Sequence, residues 1–112
     1  MKNNQLLSIM KALELSEVPF WRAVLKNLRR PKRNYPSVNL RKVEEHAKER
    51  VVVVPGSVLG VGKLTKKVTI AALHFSDSAS KKIAASGSTA LTIPECFKKY
   101  ADGKQLVILK WK

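Results

Sequence analysis

Four consecutive valines, Val51 to Val54, followed by a second apolar run from Val68 to Leu73, constrain this chain more than any other feature. A run of β-branched residues with no polar alternation suits a strand buried on both faces. Pro55-Gly56 is expected to break the first strand, and Gly60 and Gly62 keep the backbone permissive beyond it. Lys63, Lys66 and Lys67 follow, and no acidic residue occurs between Arg50 and Ser76. The expectation is two buried strands presenting a flexible, purely cationic, glycine-bearing loop, a natural partner for a polyanion.

The overall charge points the same way. With 22 Lys and Arg against 8 Asp and Glu, the 112-residue chain carries +14 at neutral pH. Such a charge opposes compaction and attracts nucleic acid or anionic membrane, so the native context is expected to supply counter-charge. A hydrophobic content of 45% excludes a fully disordered polyelectrolyte, and the length suits one domain. No stretch approaches the roughly 18 apolar residues of a transmembrane helix. The opening MKNNQLLSIMKAL is too polar for a signal peptide and reads as an amphipathic helix. Cys96 is the only cysteine, which precludes an intramolecular disulfide and suits a reducing cytoplasm.

Leu6, Leu7, Met10, Leu13 and Leu15 are expected on one face of a first helix over about residues 4–15. Ser16 is the expected cap of a second, with Glu17 near its positive end and Pro19 in its first turn. Its apolar face is Val18, Trp21, Leu25 and Leu28, and Pro31 stops it. Asn39 would cap a third, short helix carrying Leu40, Val43 and Ala47. The period then changes. Arg50–Val54 and Val68–Leu73 read as strands, and Ser76 caps a helix to about Ser86 with Gly87 at its C′ position. Thr89–Thr92 reads as a short strand, Thr92 and Glu95 have capping-box spacing, Asp102-Gly103 is a turn, and Leu106–Leu109 is a final strand. The class expected is α/β (α+β), with a basic helical part at 1–47 and an α/β core at 48–112.

Eight basic residues and no acid lie between Val18 and Val43: Arg22, Lys26, Arg29, Arg30, Lys32, Arg33, Arg41 and Lys42. Several share a helix face through steps of 3–4 residues. All six arginines fall in the first 50 positions, and arginine suits planar, forked contact with phosphate or stacking on a base. Pro31 to Pro36 has the composition of an extended arm, with Tyr35 available for stacking. A solvated loop is the plain alternative, but two acid-free segments and the total charge favour polyanion binding.

A nucleotide-binding P-loop fails on spacing. Five residues separate Gly56 from Gly62 where four are needed, and Leu64 follows Lys63 where Ser or Thr is needed. Gly56, Gly60 and Gly62 could still permit close backbone approach to a phosphate, or simply form a bulged turn. His46 and His74 have no partners at ligand spacing, so no metal site is expected. Nothing marks a nucleophile, a cofactor or a small-molecule substrate. Glu44, Glu45 and Glu49 are expected to pair with Arg41, Lys42 and Lys48 along their helix. Cys96 and Trp21 read as core; Trp111, between Lys110 and Lys112, could cap the core or lie against RNA.

Several motifs in order resemble one family. Val-Val-Pro-Gly at 53–56, Val-Leu-Gly-x-Gly at 58–62, Lys63-Leu64, Val68-Thr69-Ile70-Ala71-Ala72 and Phe75-Ser76-Asp77-Ser78-Ala79 are similar to archaeal and eukaryotic large-subunit ribosomal protein eighteen-e. Phe20-Trp21-Arg22, Leu28, Arg30-Pro31, Arg33 and Val38-Asn39-Leu40 extend the likeness upstream. The resemblance implies N-terminal helices before an irregular β-β-α superhelix. It also implies a non-enzymatic, structural role in cytoplasmic ribosomes, with large-subunit rRNA and neighbouring ribosomal proteins as partners and no membrane. The short length looks archaeal. Phosphate contacts are then expected from Arg29, Arg30, Lys32 and Arg33 on one side and from Lys63, Lys66 and Lys67 on another, bridging RNA helices. The other class considered is a basic DNA-binding or chromatin protein built on a helix-turn-helix, which the Pro-bracketed 31–38 connection disfavours.

If counter-charge comes from a partner, the isolated protein should melt at higher temperature with sulfate, phosphate or RNA. A melting temperature that stays flat across these additives counts against that view.

Overall fold

The valine run becomes the central strand of a sheet. The computed structural model describes residues 3–29, 35–47, 50–100, 102–103 and 105–109. Its elements are α1 (Asn3–Glu14), α2 (Pro19–Leu28), β1 (Ser37–Asn39), α3 (Leu40–Ala47), β2 (Val51–Leu59), β3 (Thr69–Phe75), α4 (Asp77–Ala85), β4 (Thr89–Thr92), α5 (Ile93–Lys99) and β5 (Leu106–Ile108). This is the α/β class expected. The strand order is β1-β2-β3-β4, with β5 also on β2, and every pairing is parallel.

β2 organises the rest because it is long enough to take two partners on one edge. Its residues 51–53 pair with β5 and its residues 57–59 pair with β1, while β3 runs along the opposite edge. Between the two short strands the β2–β3 register shifts at Val54/Ser57. The strand therefore does not end at Pro55-Gly56 as expected from sequence; it passes through as an irregularity. Proline is tolerated there because the ladder is locally disrupted and needs no donor from it. Gly56 is buried, and a Cβ on it would collide with the Pro36 carbonyl oxygen, which accepts the Ser57 N–H at 3.0 Å.

Alternation along β2 and β3 sorts the helices onto two faces. Val51, Val53 and Ala71 point to a core shared with Ile9, Leu13, Trp21, Val24, Leu25, Leu28, Ile93 and Cys96, which places α1, α2 and α5 on that side. Val52, Val54, Val58, Ile70 and Ala72 point to the other core, with Val38, Leu40, Val43 and Ala47 of the β1–α3 unit and Ala79 and Ile83 of α4. The valines are thus buried on both faces, as their sequence implies. Trp21 is fully buried, edge-on to Phe20 and Phe97, and its indole N–H donates to the Tyr100 carbonyl at 2.9 Å. It is core, not a stacking platform. Cys96 is also core, its thiol pushed by burial to about 11.

Local signals fix most boundaries. Ser76 caps α4 by accepting the Ala79 N–H, and Gly87 follows that helix with φ +76°. Thr92 and Glu95 form the expected reciprocal capping box of α5. Ser16 differs from expectation. Val18 is the N-cap of α2, with Pro19 in the first turn, and the Ser16 hydroxyl accepts the Val18 N–H one step earlier. Leu15 is 86% exposed rather than part of the apolar stripe. The side chains of Leu6 and Leu7, and Trp111, lie outside the described residues. The helical first part is not separate from the sheet, because β1 inserts into it.

Gly56→Ala should lower the unfolding free energy by about 1–3 kcal/mol, the usual cost of overpacking a filled position. Denaturant titration measures it; an unchanged midpoint contradicts the close packing on Pro36.

Candidate nucleic-acid interface

β2 and β3 are parallel, yet only residues 60–68 connect them, and no helix forms there. The chain must travel back from Leu59 to the level of Val51, roughly 26 Å at about 3.3 Å per residue. Ten Cα steps reach at most about 33–36 Å, so the connection is nearly taut. It lies on the α3/α4 side, where Leu64 and Val68 pack against the core. This is a strap rather than the flexible loop expected from its glycines.

Its path is set by close contact and by charge. A Cβ at Gly60 would collide with the Ser78 side chain and lie 2.8 Å from the Ala79 nitrogen, so the strap seats on the first turn of α4. Gly62, at φ +96°, lies over Arg41 in the first turn of α3, whose N–H donates to the Val61 carbonyl at 3.2 Å. The Lys82 ammonium donates to the carbonyls of Gly60 (2.5 Å) and Gly62 (2.9 Å). Glu44 Oε1 accepts the Thr65 hydroxyl (2.7 Å), the Thr65 N–H (2.5 Å) and the Lys66 N–H (2.9 Å). The Thr65 hydroxyl and amide, then the Lys66 amide and charge, hold the Glu44 carboxyl below the usual glutamate range.

Glu44 is thus engaged across to the strap, a role beyond the helix pairing the sequence suggests. Of the expected helix pairs, Arg41–Glu45 is present at 3.9 Å between exposed groups, while Lys48 and Glu49 lie outside the described residues. The glycines likewise have a reason within the fold: the chain's own Pro36, Ser78 and Arg41 occupy the space their missing side chains would need. Neither Glu44 nor Lys82 stands out in the sequence. Each lies about 20 residues from its partners, and no local pattern announces such a tie.

Lys63, next to the Gly62 that lies over Arg41, is exposed, as are Arg41 and Lys66, whose N–H is held by Glu44 of Arg41's own helix; Lys67 lies along Gly87 at the end of α4. Asn39, Arg41, Lys42, Glu45 and His46 line an open depression of about 340 Å³ on the same side. The remaining described cations predicted from sequence lie across the sheet. Arg22, Lys26 and Arg29 belong to α2, or follow it directly, and are exposed. Arg22 donates to the Ser16 carbonyl at 3.2 Å, and Arg29 pairs with Glu14 at 2.9 Å. Arg30, Lys32 and Arg33 lie outside the described residues. Tyr35 is not the free ring of an open arm. It is half-buried against the Trp21 core, its hydroxyl donates to the Leu28 carbonyl at 2.5 Å, and burial raises its pKa.

The first three helices cannot act as a helix-turn-helix. β1 separates α2 from α3, and the two pack on opposite faces of the sheet. Among the described residues no three His, Cys, Asp or Glu side chains are grouped to hold a metal ion, and no helix is long and apolar enough to cross a membrane.

Comparison with known proteins adds sequence-wide support. Residues 5–112 match the family model described as ribosomal protein 60S L18 and 50S L18e. The chain is similar to the large ribosomal subunit protein eL18 of Thermoplasma volcanium, 39% identical over 96% of this chain and 88% of the relative. It is also similar to the proteins of that name from Sulfurisphaera tokodaii (35%, 96% and 92%) and Archaeoglobus fulgidus (43%, 79% and 76%).

A carboxylate with a lowered pKa keeps its ties above its ordinary pKa and loses them only as pH falls through the lower, folded value. The Thr65 and Lys66 amide resonances should therefore titrate with a midpoint below ~4.3, the value of an unpartnered glutamate. A midpoint at or above that value would contradict the Glu44 contacts.

Proposed function

The chain belongs to the family of ribosomal protein 60S L18 and 50S L18e, and on that premise we propose that it is an archaeal-type structural constituent of the large ribosomal subunit that binds and bridges large-subunit rRNA. Its place is in cytoplasmic ribosomes, beside neighbouring large-subunit proteins. The observation that carries the bridging role is the sorting of cations by the sheet. Arg22, Lys26 and Arg29 accompany α2 on one face, whereas Arg41, Lys63, Lys66 and Lys67 accompany α3, α4 and the strap on the other. A protein with one basic face can only sit on RNA; one with two can lie between RNA elements and reduce their mutual repulsion.

The chemistry required is modest. Large RNAs present dense phosphate arrays, and proteins on them act mainly through backbone neutralisation and shape. Arginine forks on the α2 side suit bidentate phosphate contact, while strap lysines act as compact point charges. Arg30, Lys32 and Arg33 follow α2 in the sequence, and we assign them phosphate contacts on the strength of their residue type alone. Arg29 would exchange its exposed pairing with Glu14 for phosphate, a cheap exchange because surface ion pairs contribute little. No catalytic step is assigned to the chain.

Co-sedimentation through a sucrose gradient in moderate salt tests the reading. The wild-type chain should travel with large subunits. Reversal of Arg30 and Arg33 to Glu, or of Lys63 and Lys66 to Glu, should each reduce incorporation with the fold intact by circular dichroism. Full occupancy by both variants would refute the two-faced reading, and co-migration of the wild-type chain with chromosomal DNA would refute the ribosomal one.

A further inference from the structure

We propose that Glu44 and Lys82 are positioning residues that hold the 60–68 strap as a preordered cationic edge, so that RNA phosphates meet Lys63 and Lys66 already in place. The inference rests on the rRNA-binding reading above and adds to it the role of two groups that do not themselves serve as phosphate contacts.

Consider what an acid is doing there. Glu44 stands in α3 within a strongly basic surface, where a bare carboxylate would repel phosphate and weaken binding. Its Oε1 is instead occupied by three donors from Thr65 and Lys66. Lys82 shows the converse. Its ammonium reaches back toward the N-terminus of α4, the direction in which helical side chains lean, and donates to Gly60 and Gly62 carbonyls. Opposite charges, from the two helices flanking the strap, thus satisfy opposite polar groups of its backbone.

The ties fall where order is hardest to obtain otherwise. Residues 60–66 have no regular secondary structure and include two glycines, which lose the most freedom on ordering. With Arg41 N–H on the Val61 carbonyl and Leu64 against the core, the two charged clamps fix both ends of the segment bearing Lys63 and Lys66. The lysine side chains remain exposed. A segment ordered before it meets its ligand does not lose that freedom on binding, and affinity rises accordingly.

Plain electrostatics and preordering make opposite predictions for one substitution. Removing an acid from a +14 protein should strengthen binding to a polyanion; removing the clamp should weaken it. Glu44→Ala is compared with Glu45→Ala, which deletes the adjacent acid of the same helix, 3.9 Å from Arg41. Both favour helix, so α3 is retained. Binding to protein-free large-subunit rRNA is measured across a potassium chloride series, with amide exchange at residues 60–66 of each free protein.

Glu44→Ala should bind roughly 3- to 10-fold more weakly than wild type, with an unchanged salt slope and faster exchange at Thr65 and Lys66. Glu45→Ala should bind as well as wild type or better, with unchanged exchange. Lys63→Ala, which removes a phosphate contact, should instead reduce the slope by about 0.7–0.9. Binding by Glu44→Ala equal to or tighter than wild type overturns the inference and leaves the rRNA reading standing. A wild-type chain with no salt-dependent binding overturns the rRNA reading and this inference with it.

Discussion

The parallel pairing of β2 with β3 over so short a connection is the constraint on which the rest depends. Parallel neighbours ordinarily require a crossover of a dozen or more residues, usually with a helix. Here nine must suffice, and over that distance they leave room for no more than about one turn of helix. A nearly extended strap is the available solution. Its backbone cannot bond to itself as a helix would, so its polar groups require partners supplied from elsewhere. The two adjacent helices supply them, with a carboxylate for the amides and an ammonium for the carbonyls. The small residues follow from the same requirement, because the strap must thread between the first turns of α3 and α4 without side chains in the way.

Burial of β2 on both faces has a second consequence, for charge. A strand covered on one face would leave its helices, and their basic residues, on a single side of the molecule. Covered on both, it divides them. The α2 cations and the strap cations are held apart by a rigid sheet whose valines permit little adjustment. Self-repulsion among so many positive groups is thereby moderated in the free protein, and the distance between the basic faces is set by packing rather than by a linker.

Features determined by neighbours in sequence were legible before the structure. Ser76, Gly87, Thr92 and Glu95 act within three or four residues of themselves, so their types and spacing suffice to place α4 and α5. The valine run also declares its own burial. β1 was not legible, since Ser37-Val38-Asn39 is too short to show alternation and is a strand only because Ser57–Leu59 lies beside it. Passage of β2 through Pro55-Gly56 was hidden for a related reason: a proline–glycine pair signals a stop unless the partner strands on both edges carry the chain across. Within the candidate interface, the identity of the cations could be read but not their grouping. Arg41 and Lys63 come together only through the taut return, and the acid that serves the strap looked like one more member of a helical salt pair.

The arrangement of β5 and β1 end to end on one edge of β2 bears on the order of events during synthesis. Ser57–Leu59 find their partner in a segment made earlier, so that half of the edge can close as soon as β2 has emerged. Val51–Val53 must wait for residues 106–108, some fifty positions later. For that interval a buried valine strand presents an open line of amides and carbonyls, the kind of template on which unrelated strands assemble. The nascent chain therefore passes through a vulnerable stage that the finished protein conceals, and the short segment that closes it is a guard against misassociation as well as a part of the sheet.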